Sequence, residues 1–130
     1  MTLTKLLFEP TLVRSPLSVI RWWESRRPLY NLAVGVTGLG VLGYAVGLEL
    51  LLGNGLLEVP LIGVAAYGIA ANVCYTLGPL AELAIERFLK RPVYGLGPAL
   101  FRHGLVFSLG LTLLPAAMIT IVNIAGAIFR

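Results

Sequence analysis

No aspartate occurs anywhere in this chain, and cysteine and histidine occur once each, as Cys74 and His103. A single cysteine excludes an internal disulfide and every cysteine-pair metal or redox motif, so the redox compartment is not legible from it. The lone histidine leaves no haem-attachment pattern. Charge is scarce as well: 12% of the 130 residues are Asp, Glu, Lys or Arg, where a soluble domain carries about a quarter. With 58% hydrophobic residues and a mean hydropathy of +0.89, the chain reads as an integral membrane protein of one domain. Its length leaves room for three or four helices of the ~20 residues that cross a hydrocarbon core. No nucleophile–base pair, metal cluster or phosphate loop is present, and the Gly-Leu-Gly strings at 38–40 and 95–97 lack the strand–turn–helix context of a nucleotide fingerprint. The sequence therefore predicts a protein that is not an enzyme and holds no cofactor. A membrane-embedded, lipid-active enzyme working through Glu82, Glu86, Arg102 and His103 is the weaker alternative.

What charge there is has a direction. The net charge is +4, and nine of the ten basic residues lie before residue 28 or between 87 and 102, with Arg130 the tenth. Short loops rich in Lys and Arg stay on the cytoplasmic side, so three crossings place residues 1–28 and 87–103 inside, and 50–59 and the C-terminus outside, in a plasma or inner membrane. Glu49 and Glu58 then read as solvated on the outer side. This placement of basic residues fits a membrane surface rather than nucleic acid, so the expected partners are the lipid bilayer and further copies or a larger membrane complex.

Residues 1–28 read as a cytoplasmic, interfacial segment. The apolar cluster Leu6-Leu7-Phe8 is interrupted at once by Glu9-Pro10, which is too short for the apolar core of a signal peptide. Next, Ser15 is a helix N-cap candidate with Pro16 at the first helical position, and Pro28 closes the segment. Within it, Arg21, Trp22, Trp23, Arg26 and Arg27 form the combination that holds a helix at the headgroups, with indoles at interfacial depth and guanidinium groups on phosphates.

The expected fold is all-α, with three transmembrane helices at 29–52, 60–90 and 98–129 following an N-terminal interfacial helix. Pro28 suits the start of the first span and Gly53-Asn54-Gly55 its end. One face of this span carries Gly40, Gly43 and Gly47, and small residues at such spacing let helix backbones approach in lipid. The stretch 92–101, apolar but rich in proline and glycine, is expected to lie along the interface. The third span is uncharged from Gly104 to Phe129, and Pro79 and Pro115 are expected to kink the second and third spans.

Asn72, Tyr75, Pro79, Glu82 and Glu86 recur at steps of 3, 4, 3 and 4, which at about 100° per residue keeps all five on one helical face. Ala65 and Gly68 continue that face with small residues. Arg102 and His103 are the expected counter-charges for Glu82 and Glu86, with Arg21, Arg26 and Arg27 as competitors. Asn72, near mid-bilayer, is expected to bond across helices to Thr112, to Ser108 or to Asn72 of another copy. Cys74 is expected on the opposite face as an inert, small hydrophobe. Two functions of different kinds follow. In one, the protein is an accessory or scaffold subunit that docks through helix–helix association. In the other, copies assemble around the line from Asn72 to Glu86 into a pore or proton path. One short polar line with a hydrophobic upper half favours the first.

Overall fold

The computed structural model describes residues 2–53 and 61–129, and every element among them is helical. They are α1 (Leu3–Phe8), α2 (Pro16–Glu24), α3 (Arg27–Leu52), α4 (Leu61–Leu89) and α5 (Leu96–Ile128). The expected helix start at Pro60, Glu58 with its loop, and Arg130 lie outside the described residues. Three helices are long and apolar enough to cross a membrane. At 1.5 Å per residue α5 is about 50 Å long, against a hydrocarbon core of about 30 Å.

Local chemistry explains most of the boundaries. Ser15 caps α2 as expected, and Ser18 returns the bond: the Ser15 hydroxyl accepts from the Ser18 N–H at 3.2 Å, and the Ser18 hydroxyl accepts from the Ser15 N–H at 3.0 Å. Pro16 occupies the first turn of α2 and Pro28 the first turn of α3, where a missing N–H loses nothing. Gly53 ends α3 in the left-handed conformation (φ 61°), with its N–H donating to the Glu49 carbonyl at 2.8 Å. Lys90 (φ 52°) turns the chain out of α4.

One expectation about these boundaries is corrected: α5 begins at Leu96, so most of the stretch 92–101 is helix rather than a separate interfacial segment. Pro98 does not prevent this because it sits in the first turn, among N–H groups that have no intrahelical acceptor anyway.

α5 is the element against which both other long helices pack, while α2 lies on α4 and α1 on α5. The core gathers at the end of the bundle where α2 sits: Val19, Trp22, Trp23, Tyr30, Val34, Ala71, Tyr75 and Phe101 form one buried cluster. Trp23 stands edge-on to Tyr75 and Phe101, at centroid distances of 5.5 and 6.0 Å, a geometry that places the positive ring edge on the negative ring face. Away from this end, apolar side chains face outward. Only 6% of the most apolar window of α5 is buried within the chain.

Hydroxyl pairs join the long helices. Tyr44 donates to Thr120 Oγ1 at 2.6 Å, because the Thr120 proton is committed to the Ala116 carbonyl at 2.8 Å. Tyr30 donates to the Ala71 carbonyl at 3.2 Å and so accepts from Ser108 at 2.9 Å, tying α3, α4 and α5 at one point. Such bonds fix the helices to one another at defined points.

The expected interface anchor is largely buried. Trp23 is 2% and Arg26 3% exposed, and Trp22 is buried with them. Arg26 donates to the carbonyls of Leu6 (2.6 Å), Glu9 (3.2 Å), Lys5 (3.3 Å) and Trp22 (3.1 Å), while its guanidinium lies 3.7 Å from the Trp22 ring centroid. A cation among carbonyls left over at helix C-terminal ends is favourably placed. Burial is therefore what Trp22, Trp23 and Arg26 gain by facing the bundle rather than the headgroups. Of the five, Arg21 remains exposed and Arg27 is half-buried, paired with Glu24 at 2.7 Å.

Candidate functional site

The spacing that aligns Tyr75, Pro79, Glu82 and Glu86 aims them at α2 and at the start of α5. Tyr75, Pro79 and Glu82 are buried and Glu86 is half-buried. The Tyr75 hydroxyl donates to the Trp23 carbonyl at 2.5 Å. One turn on, Gly78 gives α4 a flat spot against the Trp23 indole, where an added Cβ would overlap the ring.

Glu82, only 2% exposed, is the centre of this end of the bundle. One carboxylate oxygen accepts from Arg14 Nη1 at 2.7 Å and the other from Trp23 Nε1 at 2.7 Å. The same Arg14 Nη1 lies 3.0 Å from Glu86, and Arg14 Nη2 donates to the Val93 carbonyl at 3.0 Å. Glu86 in turn accepts from the Val93 N–H at 2.9 Å, and the Tyr94 ring flanks the guanidinium at 4.9 Å. Gly97 closes the remaining side, since a Cβ there would come within 2.7 and 2.9 Å of the two Glu82 oxygens. A carboxylate removed from water needs this many partners, because burying it unpaired costs several kcal/mol (about 3–5 when one partner of a buried pair is removed).

No protein-family model, curated protein or solved structure matches this chain. The case for a function therefore rests on the arrangement of its own residues.

The expected counter-charges are corrected. Arg102 lies over the Phe8 ring at 4.5 Å, and the exposed His103 ring bonds to the Ala99 carbonyl at 2.7 Å. Neither reaches Glu82 or Glu86, because the start of α5 facing those carboxylates is Gly97 and its neighbours. Arg14 takes their place. Nothing local in the sequence marks it: the residue stands ahead of the Ser15 cap in the link between α1 and α2, and only the tertiary fold brings it 68 positions along the chain to Glu82.

The upper part of the line behaves differently. Asn72 is half-buried and donates to the Gly68 carbonyl of its own helix at 3.1 Å. The intramolecular partners expected for it are engaged elsewhere: Ser108 with Tyr30, and Thr112 with Tyr67 at 2.6 Å. Asn72 and Tyr75 thus part company, one facing outward and the other inward. Cys74 is exposed on the helix surface.

Gly40, Gly43 and Gly47 have nothing within 4 Å of the position a Cβ would take. Gly38 is the glycine that meets α5, with Thr112 Cγ2 at 3.7 Å. Gly38 is thus used within the chain, while the positions at Gly40, Gly43 and Gly47, and at Gly35, are open.

Proposed function

We propose that this chain is a small membrane protein of three spans that serves as an accessory or scaffold subunit, docking through outward helix faces onto further copies or a larger membrane complex. The observation that carries this reading is the closure of the polar line: Glu82 is 2% exposed and bonded to Arg14 and Trp23. Groups committed in this way hold an N-terminal segment to the bundle and leave no oxygen aimed at a passing ion, which weighs against a pore or proton path. The same commitment weighs against a lipid-active enzyme working through Glu82. In contrast, Gly40, Gly43 and Gly47 on α3 have open space where a Cβ would stand, and small residues on such a face allow close helix approach in lipid.

The membrane reading is supported by the three long apolar helices and by their outward apolar side chains. The basic residues of α1, α2 and the 90–95 turn support a cytoplasmic location for that end of the bundle. The experiment is to measure the mass of the intact particle after gentle extraction, with its components identified. A homo-oligomer or a defined complex is expected, and Gly43→Leu with Gly47→Leu should reduce it. A wild-type monomer in several mild detergents and in native membranes would overturn the proposal.

A further inference from the structure

One open groove has a use that the scaffold reading does not assign. It lies beside the start of α3, against the middle of α4, and offers about 570 Å³ of space that is open on its outer side. Its polar lining is Arg27, Asn72 and Thr76, and its apolar lining is Ala65, Gly68, Ile69 and Val73. Asn72, Val73 and Thr76 lie at the Arg27 end, and Ala65 lies two helical turns from Asn72 along α4, so the lining beyond Asn72 is apolar only.

The polar groups have donors to give. Arg27 Nη2 is bound to Glu24 at 2.7 Å and Nε is buried within the chain, which leaves the Nη1 protons as donors for a ligand; the guanidinium is held 5.0 Å from the Tyr75 ring centroid. Asn72 uses one N–H on the Gly68 carbonyl and has a second. Glu24 is half exposed, at 49%, and an ion pair that open to solvent contributes little. It leaves the guanidinium able to accept a second anion.

We propose that this groove holds one anionic phospholipid, with its phosphate on Arg27, its ester region at Asn72, which by sharing the groove with Arg27 lies nearer the cytoplasmic face than the mid-bilayer depth expected from the sequence, and an acyl chain along Gly68, Ile69 and Ala65. The inference rests on the membrane reading above, which puts Arg27 at the depth of the cytoplasmic headgroups. Charge complementarity selects the occupant. A guanidinium at one end of a groove that is apolar at the other matches a ligand with one anionic end and one hydrocarbon end. A second copy packed here about a two-fold axis would bring its own Arg27 toward the first, and like charges repel.

The test is native mass spectrometry of the delipidated protein titrated with phosphatidylglycerol, with phosphatidylcholine of the same chains, and with inorganic phosphate. Phosphatidylglycerol should bind roughly ten-fold more tightly than phosphatidylcholine, the scale of one charge-assisted hydrogen bond. Arg27→Gln should erase that preference and Arg27→Lys should keep most of it. Glu24→Gln should sharpen it, because it removes the competing carboxylate without touching the groove, an effect that a purely structural Arg27 would not produce. Equal binding of the two lipids by wild type would overturn the proposal, as would a preference that survives in Arg27→Gln. Displacement of phosphatidylglycerol by inorganic phosphate at equal concentration would reveal an anion site with no use for the chain, which also overturns it. Dimerisation on delipidation, with no selective lipid binding, would assign the groove to a helix instead. Flotation of the protein with vesicles serves as the separate control: its failure would remove the membrane reading, whereas flotation without lipid preference would remove only this inference.

Discussion

Replacing Arg14 by methionine keeps most of the length of the side chain and removes the only cation bonded to Glu82 and Glu86 among the described residues. Glu82 is 2% exposed and retains only the Trp23 N–H, so the change leaves a buried charge with one hydrogen bond. The expected loss is about 3–5 kcal/mol, the range for breaking a buried ion pair from one side. A second variant separates the pair from its packing. With Arg14→Met already present, Glu82→Met removes the stranded charge, and isosteric apolar replacement of both partners is often close to neutral. Its residual costs are the unpaired Trp23 N–H, about 1–3 kcal/mol, and the loss of Arg14 from Glu86 and the Val93 carbonyl, which both variants share. The double variant should therefore be more stable than Arg14→Met alone by roughly 2 kcal/mol. Denaturant unfolding in mixed micelles, followed by tryptophan emission, measures both, because Trp22 and Trp23 lie in the cluster. The reasoning is refuted if Arg14→Met costs less than about 1 kcal/mol, the level of a surface bridge, or if Arg102→Gln or His103→Gln costs more.

Three further outcomes are expected. Gly97→Ala should destabilise the same end of the bundle by about 1–3 kcal/mol, as overpacking does, while Gly104→Ala, which meets nothing within 4 Å, should change little in the same unfolding assay. Arg26→Met should free α1, since Leu6, Lys5 and Glu9 lose their shared donor; faster proteolytic nicking between residues 5 and 14 is the readout. A reporter that fluoresces only in the cytoplasm should light up when fused after Arg91 and stay dark after Arg130, and the opposite pattern would invert the topology.

How much of this was legible in the sequence depends on the range over which each signal acts. Ser15, Pro16, Pro28 and Gly53 act within a turn of themselves, and each marks a boundary where local chemistry predicts one. Hydropathy runs of about 20 residues identify the three long helices equally well. The 3,4 spacing correctly groups Tyr75, Pro79, Glu82 and Glu86 on one buried side. Periodicity does not say what that side meets, however, and the composition of the segment holding Trp22, Trp23 and Arg26 fits a headgroup interface and a buried seam equally well. Arg14 is invisible to any pattern because its partner lies in another helix. Gly97 is similar: in sequence it belongs to a loose-looking Pro-Gly stretch, and only the fold shows that a carboxylate occupies the space a side chain would take.

The central claim is that the N-terminal segment folds into the bundle and closes the polar line, rather than lying on the lipid surface and leaving the line open. Trp22→Phe leaves Trp23 as the only tryptophan of the two in the chain, and its indole, 2% exposed, reports directly on that closure. In liposomes, the account predicts blue-shifted emission that neither aqueous iodide nor lipids brominated near the headgroup can quench. Strong quenching by either one would put Trp23 in water or among headgroups and contradict the account.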